Sequence, residues 1–228
     1  MCFSPTASFG ASVVLGGIGV ASIASSRTVP QKVLSGIPIL FALQQFTEGV
    51  LWLALQRSDW SQWQTIATYG FLVFAQMVWP VYVPLSMLLF EQEARRRKII
   101  GVLTVIGVLL ASYVGVCMYH YPVSAVADHH HIRYVLEFPL ARKWSYGLFY
   151  FIPTILAPLV STTKSLRWLG YLFLGSWVMV RILFAMWVIS VWCFFGAIIS
   201  LVVLFIVLRL NGHLERWYKP VDNRKASI

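Results

Sequence analysis

Charge is what this chain has least of. Only 11% of its 228 residues are Asp, Glu, Lys or Arg, against about 25% in soluble domains. Acidic residues are the scarcest, eight against 18 Lys and Arg. With 59% hydrophobic residues and a mean hydropathy of +0.74, the composition excludes a soluble domain and implies an integral membrane protein. The net charge of +10 is then no nucleic-acid footprint, and no nucleic-acid partner is expected. Lys and Arg accumulate on cytoplasmic loops of membrane proteins, which explains the excess. Cysteine is rarer still, with three residues. Cys2, Cys117 and Cys193 form no Cys-x-x-Cys, so spacing alone makes no metal site. A basic segment before the first apolar run is also missing: no Lys or Arg precedes Arg27. Val13–Ala24 therefore reads as a retained first helix rather than a cleaved signal.

Long apolar runs are what the chain has instead. Seven of them approach the ~20 residues needed to span a bilayer: Ala7–Ser26, Val33–Gln56, Thr65–Phe90, Ile99–Tyr119, Ser145–Ser161, Trp168–Ile189 and Ser190–Leu210. The last two form one continuous apolar run, which needs a tight turn near Ile189–Trp192. The expected fold is an all-α membrane protein, a single seven-transmembrane-helix bundle over residues 1–228, with a basic cytoplasmic tail at 211–228. Arg27, Lys32, Arg95–Lys98, Lys164, Arg167, Arg209 and the basic tail fall on one side of such a bundle. That side is cytoplasmic by charge bias, so the N-terminus is expected outside and the C-terminus inside. The predicted location is a bacterial inner membrane, with the lipid bilayer as partner.

Three further features shape the expected bundle. Pro80, Pro84, Pro153 and Pro158 lie inside predicted helices 3 and 5, where they kink the helix and free carbonyls. Ser8, Ser12, Gly16 and Gly19 give helix 1 a small-residue face for close packing. The longest outer connection, His120–Lys143, holds Val123–Ala127, the polar turn Asp128-His129-His130-His131, and an alternating stretch to Phe138. This predicts a small β-hairpin or flap between helices 4 and 5, with the histidines at its tip.

Two ionisable residues sit deep in the apolar runs, Glu48 and Arg181. Each falls roughly 10 Å inside the outer end of its helix at ~1.5 Å per residue, so an ion pair between them is expected. Such residues are site candidates by default, and Glu48 and Arg181 are the expected catalytic pair. The opposing reading is a buried bridge that only fixes helix register. Gln44, Gln45 and Trp52 share the face of Glu48 and are candidate ligand-binding residues. The outer layer collects Cys2, Cys117, Cys193, His120 and His129–His131. Thiolate, imidazole and carboxylate are the zinc-ligand set, and Cys2, Glu48 and His130 are candidate ligands for zinc or another transition metal. A disulfide between outer cysteines and a plain solvated loop beside buried thiols are the competing readings. Removal of Met1 would place the Cys2 thiol beside a free amine.

The opening Met-Cys-Phe-Ser-Pro-Thr-Ala-Ser-Phe resembles a family of uncharacterised bacterial membrane proteins that begin in nearly the same way. Residues 41–49 (Phe-Ala-Leu-Gln-Gln-Phe-Thr-Glu-Gly), Trp79-Pro80-Val81-Tyr82-Val83-Pro84, His130-His131-Ile132-Arg133-Tyr134 and Trp192-Cys193-Phe194-Phe195 are similar as well. This resemblance implies membership and fold, and no chemistry. A looser likeness in helix count links the chain to the seven-helix hydrolases that include alkaline ceramidases and adiponectin receptors. The chain departs from them in having no His-x-x-x-His in its last helix. Three functions remain open: a metal-dependent hydrolase acting on a lipid or amphiphile, a small-ligand binding, receptor or transport protein using a Glu48/Arg181 pocket, and a structural or assembly protein.

Overall fold

The fold is known from a computed structural model, which describes residues 4–128, 131–140, 145–183 and 195–212, without the side chains of residues 145, 146, 148 and 181. It is mostly helical. In chain order the elements are α1 (Pro5–Ser25), α2 (Val29–Gln56), a 3-10 turn (Ser58–Trp63), α3 (Gln64–Leu72), a π-helical turn (Val73–Val78), α4 (Trp79–Phe90), α5 (Ala94–His120), β1 (Val123–Asp128), β2 (His131–Leu136), α6 (Ser145–Val160), α7 (Lys164–Leu183) and α8 (Gly196–Leu210). Among the described residues, four stretches are long and apolar enough to cross a membrane: Pro5–Ser25, Val29–Gln56, Ser58–Phe90 and Ala94–His120.

Helix starts depart from the hydropathy boundaries for local reasons. α1 begins early because the Ser4 hydroxyl accepts from the Ala7 amide at 3.2 Å and Pro5 fits the first turn. α2 begins four residues early for the same reason, with Thr28 as the cap. α5 starts at Ala94 because Arg95–Lys98 extend it beyond its apolar part. The turn expected near Ile189–Trp192 lies outside the described residues.

The small-residue face of α1 meets α2. Ser8 is fully buried, Ser12 donates to the Ala42 carbonyl at 2.8 Å, and a Cβ on Gly19 would overlap Ile39. On the opposite side, α1 exposes Val13 and Val20, and α5 exposes Val102, Val105, Leu109 and Val116. Continuous apolar faces of this length suit lipid rather than water.

Proline dictates how α3, α4, α5 and α6 join. The run from Gln64 to Phe90 stays helical only by widening into the π turn just before Trp79-Pro80. In π register the carbonyl of Ala75 looks to the N–H of Pro80, which does not exist. The Tyr150 hydroxyl of α6 donates to that carbonyl instead, at 2.8 Å. One turn on, Pro84 leaves the Pro80 carbonyl without its helical donor, and that carbonyl lies where a Cβ on Gly107 of α5 would go. Only glycine permits this approach, which brings its Cα–H groups to the oxygen.

Side-chain latches join the helix ends on the basic side. Asn211 donates to the Ser25 carbonyl at 2.7 Å and exchanges hydrogen bonds with Gln31 at 3.0 and 3.1 Å. Glu91, 1% exposed, accepts from the amides of Gln92, Glu93 and Thr162 and from the Thr162 hydroxyl, at 2.8–3.2 Å. Arg96 adds a bond to the Val160 carbonyl at 2.8 Å. Burial pushes the Glu91 carboxyl up, but the bonds from Thr162, Glu93 and Gln92 outweigh it and hold the group below its ordinary value of 4.5.

β1 and β2 form an antiparallel hairpin running from Val123 opposite Leu136 to Asp128 opposite His131, as the alternation predicts. His129 and His130 lie outside the described residues. The hairpin docks on α2 and α3: Ala125 and Ile132 pack with Trp52 and Ala67, Tyr134 stacks on Phe71 at 4.7 Å, and Gln64 donates to the Ala125 carbonyl.

Two outcomes test this account. Gly107→Ala should cost about 1–3 kcal/mol by overpacking and lower the apparent Tm in detergent, whereas Gly101→Ala, with open space around it, should not. A depressed folded pKa means that Glu91 contributes its full stability above the ordinary carboxyl range and loses it as pH falls through the folded value. Glu91→Gln should therefore cost about 2 kcal/mol at pH 7 and flatten the acid limb of the Tm profile below pH 4.5.

Candidate functional site

The polar stripe of α2 is buried. Gln44, Gln45, Glu48 and Trp52 are each 1% exposed or less. Their spacing places them on one helical face, and the packing of α1, α3, α4 and the hairpin against α2 encloses that face. Phe9 covers Gly49 from the α1 side, and the β1–β2 hairpin covers Trp52.

Each member of the stripe has a distinct set of bonds. Gln45 Nε2 donates to Glu48 Oε2 at 3.0 Å. Gln44 Oε1 accepts from the indole N–H of Trp79 at 2.7 Å, and Trp79 itself stacks on Phe41 at 4.0 Å. Thus the π turn that accommodates Pro80 also sets Trp79 across from the stripe. Gln76, within that turn, is buried too. Two atoms stand out. Gln45 Oε1, an acceptor, and Trp52 Nε1, a donor, are fully buried and make no hydrogen bond among the described residues. They sit three residues before and four residues after Glu48 on the same face.

The other predicted site residues are less assembled. Arg181 lies on α7, which packs against α6 and α8, and its side chain is outside the described ones. Cys2, Cys193, His129 and His130 also lie outside the described residues. Cys117 is a buried free thiol on α5. Among the described residues no three His, Cys, Asp or Glu side chains come together as a metal-holding group.

Trp79 and Gln76 escaped the sequence reading as members of the site. Gln76 carried the same signal as Gln44, a polar side chain inside an apolar run. Trp79 carried none beyond its place before Pro80, because an indole reads as ordinary apolar content. The stripe falls within residues 41–49, and the Trp-Pro segment within 79–84, both segments of the family resemblance. A family profile matches residues 1–216. The chain belongs to DUF6629, a family of unknown function. No curated protein and no solved structure matches it, so the DUF6629 assignment carries membership alone, and the chemistry rests on the site.

If Trp79 anchors Gln44, then Trp79→Phe should cost about 1 kcal/mol by removing a buried hydrogen bond, and Trp79→Phe combined with Gln44→Leu should be less destabilising than the sum of the two single changes. Thermal unfolding of the single and double variants measures the coupling.

Proposed function

We propose that this protein binds a small hydroxyl-bearing ligand at an outward-facing intramembrane site centred on Glu48. The supporting observation is the pair of buried, unpaired atoms beside that carboxylate, Gln45 Oε1 and Trp52 Nε1. A buried polar group without a partner costs about 1–3 kcal/mol, and two on one helical face mark a place where a partner belongs. Hydroxyl groups suit both atoms, since a hydroxyl can donate to the amide oxygen and can accept from the indole, and the two residues lie about 10 Å apart along the helix, a spacing that a polyhydroxylated ligand spans. Arg181 serves in this reading as the counter-charge of Glu48, with Gln44, Gln45 and Trp52 lining the site and the hairpin gating it.

The membrane frame of the proposal is a single seven-helix domain in the bacterial inner membrane, N-terminus outside and C-terminus cytoplasmic, with residues 211–228 as a basic tail. Its support is the gathering of the basic connections at one end, where Asn211 meets Gln31 and Glu91 meets Thr162, combined with the charge bias of cytoplasmic loops.

A second reading is a zinc-dependent hydrolase acting on a lipid or amphiphile, with Cys2, Glu48 and His130 as ligands. What favours it is the docking of the hairpin that bears His130 onto the helix that bears Glu48. The two readings separate cleanly. The ligand reading predicts that at least one compound among monosaccharides, polyols and amino alcohols raises the Tm of the detergent-purified protein, through a stability gain of about 2.7 kcal/mol at 100 times its Kd. The same compound should give no shift with Trp52→Phe or Glu48→Gln. Shifts that survive in both variants would remove Glu48 from the site. The hydrolase reading predicts stoichiometric transition metal by elemental analysis, lost in Cys2→Ser and Glu48→Ala. Undiminished function in Glu48→Ala and Arg181→Ala would leave a structural or assembly role.

A further inference from the structure

α7 and α8 run antiparallel, and a groove of about 300 Å³ lies between them, open to the outer surface of the bundle. α7 lines it with Ser165, Trp168 and Leu172, and α8 with Val202, Phe205 and Arg209. The order along the groove is graded. Of the lining residues, Leu172 and Val202 lie farthest along their helices from the basic connections, and Ser165 and Arg209 lie nearest to them. From Ser165 to Leu172 the helical rise covers about 10 Å. The groove is therefore apolar for most of its length and cationic at one mouth.

Among the described residues, nothing acidic pairs with the charge at that mouth. No Asp or Glu occurs anywhere on α7 or α8. At the same end of the bundle, Glu93 is bound to Arg96 and Glu91 is spent on Thr162. Arg209 is exposed and makes no ion pair among the described residues. Lys164, at the start of α7, adds a second exposed cation beside the same mouth. Trp168 is 63% exposed, as expected of an aromatic ring at the boundary between hydrocarbon and headgroups.

We infer that this groove is a binding site for one anionic phospholipid of the inner leaflet. Its phosphate sits at Arg209 and Ser165, and the first part of an acyl chain lies along Trp168, Leu172, Val202 and Phe205. This rests on the seven-helix membrane reading and is independent of the Glu48 site. A zwitterionic lipid fills the apolar part equally well, so the selectivity comes from the net negative headgroup.

Native mass spectrometry of the full chain, extracted in detergent and mixed with equal amounts of phosphatidylglycerol and phosphatidylcholine, tests it. The expected result is one retained phosphatidylglycerol. Arg209→Gln should reduce that occupancy about fivefold, the effect of one interfacial cation. Leu172→Trp, which fills the groove and leaves Arg209 in place, should reduce it as well. Arg97→Gln, on another basic connection, should leave it unchanged. Equal retention of both lipids, or loss in Arg209→Gln with full retention in Leu172→Trp, overturns the proposal, the second because attraction to charge alone then suffices. Release of the chain from membranes by alkaline carbonate without detergent would instead overturn the membrane reading beneath it.

Discussion

Two missing N–H groups organise this bundle. A carbonyl stranded among packed apolar helices finds no water, so a proline in mid-helix must be answered from within the protein. Pro80 and Pro84 raise that demand four residues apart. The first is met by the π turn and the Tyr150 hydroxyl, which ties α6 to the α3–α4 run. The second is met by the close approach of Gly107, which draws α5 against α4. The same distortion delivers Trp79 to Gln44. Helix contacts that look like separate packing events thus share a cause in six residues of sequence.

The polar stripe of α2 has the opposite character. It demands partners, and the bundle meets that demand unevenly. Gln44 is anchored across the interface, and Glu48 and Gln45 hold one another, yet the far oxygen of Gln45 and the indole nitrogen of Trp52 stay unanswered within the described fold. A bundle built only for stability has easier solutions, since apolar side chains of similar size fill such positions at lower cost. Local inconsistency of this kind, set inside an otherwise consistent helix, is where function concentrates.

Much of this was legible beforehand, and the reasons differ by element. Apolar length located the helical stretches that are long and apolar enough to cross a membrane, because a bilayer span needs both length and apolar composition. Alternation located the hairpin, since β1 and β2 each set one face against the bundle. Glu48 announced itself as a charge among apolar residues. Helix starts were less legible, because Ser4 and Thr28 act through single hydrogen bonds that hydropathy does not register. Glu91 was illegible: beside Gln92 and Glu93 it reads as a solvated turn, and only the approach of Thr162, 71 residues away, makes it a buried anion. Partnerships between distant elements depend on tertiary geometry, and no local pattern encodes them.

The latches also distribute stiffness unequally along the bundle. At the basic end, Glu91 rivets the α4–α5 corner to the α6–α7 corner, and Asn211 ties the end of α8 to the junction of α1 and α2. At the other end the hairpin packs Ala125 and Ile132 on Trp52 and Ala67, stacks Tyr134 on Phe71 and accepts one hydrogen bond from Gln64. Parting the basic-side corners therefore means breaking several charge-assisted and amide hydrogen bonds at once, whereas lifting the hairpin from Trp52 means chiefly uncovering packed side chains, so the two kinds of closure respond differently to pH and to detergent.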